Sequence, residues 1–183
     1  MIILASASPR RRELLRVITP DFKAVATDSD ESLPSGIHPR EGAEMLALRK
    51  ASALAPDFPE DIIIGADTIV VLDGVIYGKP ENPADAARML RELSGREHLV
   101  YTGVAILGAG VRRVFSEETW VEFIPLSESN IEAYVRSGDP LDKAGAYGIQ
   151  GGGALFVRGI RGDFYNVMGL PLCRLAYELR KLI

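Results

Sequence analysis

Between Ile62 and Tyr77 the chain reads IIIGADTIVVLDGVIY, an apolar β-branched run, a tight Asp-Gly turn and a second short β run. Asp73-Gly74 is a hairpin signal, because the favoured two-residue turns need positive φ at their central residues. Elsewhere strand-like and helix-like segments alternate, which by itself would build a purely parallel sheet with helical crossovers. Hairpins here and at Gly108-Ala109-Gly110 interrupt that order. The expected fold class is therefore α/β with a mixed sheet.

The segments follow from local signals. Ile2 to Ala5 reads as a buried strand, and Ser8-Pro9 as the cap and first residue of a helix running to about Val17. Phe22 to Thr27 reads as a strand, Asp28 to Pro39 as a polar loop, and Pro39 to Leu54 as a helix. Asn82 caps a helix that Gly95 ends just past Leu93. Strands are expected over Leu99 to Leu107 and Val111 to Ile124, then a helix from Ser127 to about Arg136. The glycine-rich stretch DKAGAYGIQGGG precedes an expected strand from Ala154 to Ile160. A last helix starts at Pro171, with Leu172, Leu175, Leu179 and Leu182 at helical spacing.

Composition excludes several classes. A net charge of −4 gives no global attraction to nucleic acid or to an anionic membrane. No stretch approaches the ~20 apolar residues of a spanning helix, and the apolar start is too short for a signal peptide, so a cytoplasmic protein is expected. The single cysteine, Cys173, rules out an internal disulfide framework and reads as a buried thiol in LPLCRLAYEL. Two distant histidines, His38 and His98, argue against an imidazole zinc site.

Five segments can carry chemistry. In ASASPRRRELL a strand ends, a capped helix begins, and arginines fill its first turn, where the free amides and helix dipole already attract anions. A solvated basic helix end is the plainer alternative. In GADTIVV, Asp67 stands among small and apolar residues, placed to take a proton from water or simply to cap a turn. Gly78-Lys79-Pro80 presents a lysine on a fixed backbone, and LDKAGAYGIQGGG offers Lys143 and Gln150 among residues small enough for close ligand approach. The acidic loop TDSDES can supply hard oxygen ligands, Glu31 foremost, or be solvated.

Taken together, LASASPRRRELL, LRKASA, IIIGADTIV, GKPENPADAARMLRELSGREH and DKAGAYGIQGGGALFVRGIRGDFYNVMGLP resemble the Maf family of small nucleoside triphosphate pyrophosphatases, over essentially the whole chain. The resemblance implies one domain over residues 1–183, with a mixed, curved sheet in two lobes around a central cleft, similar to inosine triphosphate pyrophosphatase. It implies Asp67 as the proton acceptor, and Arg10, Thr68 and Gln150 as the residues that mark the subgroup acting on dTTP and UTP. Ser8, Arg11, Lys50, Lys79 and Lys143 match positions lining the family's phosphate site. A magnesium or manganese ion is implied, with Glu31 and Asp67 as ligands. A homodimer is implied too, with no nucleic-acid or membrane partner. Two alternatives stay open from the sequence: a non-catalytic nucleotide-binding regulator of septum formation, and a pyrophosphatase for a modified purine triphosphate such as 7-methyl-GTP.

Overall fold

A computed structural model describes residues 1–108 and 110–182. Seven strands among the described residues are β1 (Ile2–Ala5), β2 (Phe22–Val25), β3 (Ile62–Leu72), β4 (Val75–Tyr77), β5 (Glu97–Gly108), β6 (Val111–Phe123) and β7 (Val157–Gly162). The helices are α1 (Pro9–Ile18), α2 (Pro39–Leu54), α3 (Pro83–Leu93), α4 (Glu128–Arg136), α5 (Phe164–Met168) and α6 (Leu172–Arg180). The strands hydrogen-bond in the order β2-β1-β3-β5-β6-β7, with β4 also on β3. β1 is parallel to β2 and β3, whereas β3–β4 and β6–β7 are antiparallel. The sheet is mixed, as the hairpins in the sequence required.

Two compact units divide the chain: residues 1–68, 102–117 and 165–183 form the first, residues 69–101 and 118–164 the second. In the first unit α2 packs on one face of the sheet, joining Ala47, Ala51 and Leu54 to Ile3, Ala5, Ile63 and Ala105. The approach is close because of two glycines. A Cβ on Gly65 would lie 2.2 Å from the Ala47 carbonyl oxygen, and one on Gly103 2.2 Å from that of Ala43. Since side chains alternate along a strand, Gly65 and Asp67 share the α2 face, and Thr68 turns to the other. On that side Arg11 of α1 reaches Thr68, and α1 packs on α6.

In the second unit, α3 packs on α4, and rings from four segments meet: Phe123 lies 4.9 Å from His98, 4.7 Å from Tyr147 and 6.0 Å from Phe156, all edge to face. Asn82 and Ser127 cap α3 and α4 as their side chains predict.

Some expectations need correction. β2 stops at Val25 rather than Thr27. The stretch from Gly151 to Phe156 forms 3₁₀ turns, so β7 starts at Val157 and not at Ala154. Glycines there favour turns over an extended ladder. Cys173 is exposed: α6 buries Leu172, Leu175 and Leu179, and Cys173 falls off that stripe. Ala109, in the expected second turn, lies outside the described residues.

The close seat of α2 generates a stability prediction. Gly103→Ala should lower the unfolding free energy by about 1–3 kcal/mol, the range for overpacking a tight contact. Gly78→Ala, whose added carbon meets nothing within 4 Å, should change it by less than about 0.5 kcal/mol. Urea denaturation of the two variants checks both.

Candidate active site

β1 ends at Ala5, opposite Gly65 of β3. The chain then turns into α1, while β3 continues through Asp67 and Thr68 beyond the reach of β1. Ligands in open α/β sheets bind just outside such carboxyl ends of parallel strands. Ser8 caps α1, its Oγ accepting from the Arg11 amide at 3.4 Å, and the first helical turn carries no acidic residue.

On the α2 face, Lys50 of α2 donates its ammonium to Asp67 Oδ1. The same Nζ lies 3.0 Å from Glu31 Oε1, bringing the polar loop before α2 to the same point. Asp67 is 9% exposed, and its Oδ2 has no hydrogen-bond partner among the described residues. One carboxylate oxygen is thus fixed by a cation and the other is left for a small molecule.

On the opposite face the guanidinium of Arg11 is half-buried. Its Nε donates to the Gly169 carbonyl at 2.8 Å and its Nη2 to Thr68 Oγ1 at 3.0 Å. Neither acceptor carries a charge. Burial pushes the Arg11 pKa down, the Asp67 and Glu31 carboxylates oppose that, and neighbouring Arg10 adds to it. Among the described residues no carboxylate is hydrogen-bonded to this cation, in contrast to Arg49, Arg88, Arg91 and Arg96, each of which has an acidic partner. Two of the five N–H groups of Arg11 are used in these contacts, and the other three make no hydrogen bond among the described residues, a donor set that suits an anion.

The sequence reading thus finds five of its residues together in the first unit: Arg11, Glu31, Lys50, Asp67 and Thr68. Arg11, which the resemblance gave to the phosphate site, touches Thr68, and Arg10 is half-buried beside it. Thr102, Asn166 and Gly169 were missed as supports of this cluster. Thr102 sits in an ordinary apolar strand, and nothing short of the β3–β5 pairing discloses that its hydroxyl meets Thr68 at 2.8 Å.

Two carboxylates converging on one ammonium also test the fit of a divalent cation. Magnesium commonly takes one or two protein carboxylates and completes its shell with phosphate oxygens and water. Asp67 and Glu31 fit that share. No group of three or more His, Cys, Asp or Glu residues arranged to hold a metal occurs among the described residues.

In the second unit, the Gly145 amide donates to the Gly78 carbonyl at 3.0 Å, tying the glycine-rich segment to the loop bearing exposed Lys79. Lys143 is buried and donates to Asp139 Oδ1 at 3.0 Å and Asp142 Oδ1 at 2.7 Å. Tyr134 completes a latch, donating to Asp139 Oδ2 at 2.7 Å and accepting from the Gly148 amide at 3.1 Å. Gln150 is exposed at the start of the 3₁₀ turns. Behind them His98 Nε2 meets Tyr147 Oη at 2.7 Å.

The fold is similar to that of the Staphylococcus aureus Ham1 protein, with a TM-score of 0.50, 19% identity, and coverage of 67% of this chain and 71% of that one. The Maf-like protein family matches residues 1–182. Two relatives named dTTP/UTP pyrophosphatase are each 49% identical: one from Geobacillus sp. (strain WCH70), over 99% of this chain and 97% of its own, and one from Bacillus mycoides (strain KBAB4), over 98% and 94%. The chain belongs to the Maf family.

The His98 contact yields a pH prediction. Its Nδ1 is buried without a partner, so a second ring proton would have no acceptor, and burial lowers the pKa from 6.5 to about 4. The unfolded chain therefore binds the extra proton between those values. Stability is full above pH 6.5 and declines as pH falls toward 4, by about 3 kcal/mol from this group. Urea denaturation at pH 7 and pH 4.5 should show His98→Gln losing less stability than the parent protein on acidification. Equal losses contradict the assignment.

Proposed function

We propose that this protein hydrolyses dTTP and UTP, normal or modified in the pyrimidine ring, to the nucleoside monophosphate and pyrophosphate. It is a hydrolase of nucleoside triphosphates. The observation that carries the reading is the pairing of a half-buried guanidinium, hydrogen-bonded to no carboxylate among the described residues, with a carboxylate held at one oxygen only. Near-complete coverage by relatives named for this activity supports the substrate.

The chemistry follows from the charges. A water oxygen attacks the α-phosphorus in line, the bond from that phosphorus to the oxygen bridging the α and β phosphates breaks, and pyrophosphate leaves with the electron pair. Oδ2 of Asp67 orients the water and takes its proton, while Lys50 holds Oδ1 so that the carboxylate cannot turn. Arg11 donates to phosphate oxygens from a half-buried position fixed by Gly169 and Thr68, so its donors need little reorganisation as charge develops. Ser8 adds its hydroxyl proton at the start of α1. A magnesium or manganese ion, held by Asp67 and Glu31, would supply neutralisation of the phosphate charge. For Lys79 and Lys143 the proposal keeps the phosphate role implied by the family resemblance, and for Arg10, Thr68 and Gln150 the base-reading role. A nucleoside triphosphate substrate puts the reaction in the cytoplasm, where such nucleotides are made. No described helix is long and apolar enough to cross a membrane.

Asp67→Asn keeps the shape of the side chain and removes the base. Release of pyrophosphate from dTTP, read by a coupled phosphate assay, should fall by about 10²–10⁴-fold with the thermal unfolding midpoint little changed. Activity within a few-fold of the parent protein rules out Asp67 as the proton acceptor.

A further inference from the structure

Proton directions in the cluster around Thr68 are determined by its chemistry. The Asn166 main-chain oxygen can only accept, so Thr102, whose Oγ1 lies 2.7 Å away, gives it the hydroxyl proton. With that proton committed, Thr102 Oγ1 faces Thr68 Oγ1, 2.8 Å distant, as an acceptor. Thr68 must therefore point its own proton at Thr102. Arg11 Nη2, 3.0 Å from Thr68 on another side, can only donate. Protons run one way, from Arg11 through Thr68 and Thr102 to the Asn166 carbonyl. A single lone pair is all that Thr68 has left to offer.

The direction is locked. Thr102 and Asn166 are fully buried, so no water can enter to reverse it. The Thr102 amide also donates to Asn166 Oδ1 at 3.0 Å, clamping the pair through backbone and side chain together. Thr68 itself is partly exposed, at the end of the first unit's stretch of β3.

We propose that Thr102, clamped by Asn166, is a positioning residue for pyrimidine selectivity: it makes Thr68 an acceptor only. This rests on the reading that Thr68 meets the base. An acceptor suits the imide N3–H that uracil and thymine share, and opposes the bare N3 of cytosine, where two lone pairs would face each other. A threonine with a free proton could turn to serve either base. Selectivity thus comes from a residue one strand away that touches no substrate.

The test compares kcat/KM for UTP and CTP in four proteins. The parent should prefer UTP. Thr102→Val removes the acceptor and frees the Thr68 proton, so the preference should shrink by about tenfold or more. Thr102→Ser retains the hydroxyl and should retain the preference, which separates ordering of the proton from mere packing. Thr68→Val should also shrink it. If Thr68→Val changes the ratio and Thr102→Val does not, the relay is overturned and the reading of Thr68 survives. If neither changes it, Thr68 does not meet the base and the proposal falls with that reading. Should Thr102→Val fail to fold, a neutron structure of the deuterium-exchanged parent decides: deuterium on Thr68 directed at Thr102 supports the relay, and deuterium on Thr102 directed at Thr68 overturns it.

Discussion

Arg11 is a half-buried guanidinium whose two hydrogen-bond acceptors are neutral oxygens, while the nearby Asp67 and Glu31 carboxylates act on it only through space. Gly169 and Thr68 fix the plane of the group without neutralising it. The partial desolvation of such a cation costs stability that no hydrogen-bonded ion pair among the described residues offsets. A phosphate arriving there meets donors already oriented by Gly169 and Thr68.

The sheet then divides the labour. Consecutive residues of β3 face opposite ways, so Asp67 answers to α2 and Thr68 to α1 and β5. Lys50 and Glu31 reach Asp67 from the α2 face, and Arg11 reaches Thr68 from the other. Acid–base chemistry and anion recognition are thereby supported by different elements, yet come together at adjacent residues. The close seat of α2, which Gly65 and Gly103 permit, brings Lys50 within reach of the carboxylate. Stability and chemistry meet in that helix-to-sheet contact.

Much of this was legible in the residues. Ser8-Pro9, Asn82-Pro83 and Ser127 fixed three helix starts through the hydrogen bonds their side chains make, and Asp73-Gly74 fixed a hairpin through its backbone demands. These signals are local, and a local signal survives in a linear string. Asp67 and Arg11 were legible for a different reason: charged groups in apolar or anion-attracting contexts require explanation, whereas Lys50, unremarkable on its helix, came only with the family resemblance. Thr102 and Asn166 gave no such sign. A threonine in a strand and an asparagine near a short helix are unremarkable until pairing brings them together across 64 residues. The 3₁₀ turns over Gly151–Phe156 were misread as strand because apolar residues after glycines suit either state. Cys173 was misplaced because an apolar run shows composition, and only the helical phase shows which side is wet.

Whether Arg11 is an anion site in waiting can be read without turnover. Calorimetric titration with a UTP analogue carrying a methylene bridge between the α and β phosphates measures binding alone. Arg11→Gln keeps hydrogen-bond donors and removes the charge, and should weaken the dissociation constant by about 10–100-fold, in line with the ~1.5–3 kcal/mol of a charge-assisted hydrogen bond. It should also raise the thermal stability of the free protein. An unchanged affinity would mean that the half-buried cation serves the fold and not the ligand.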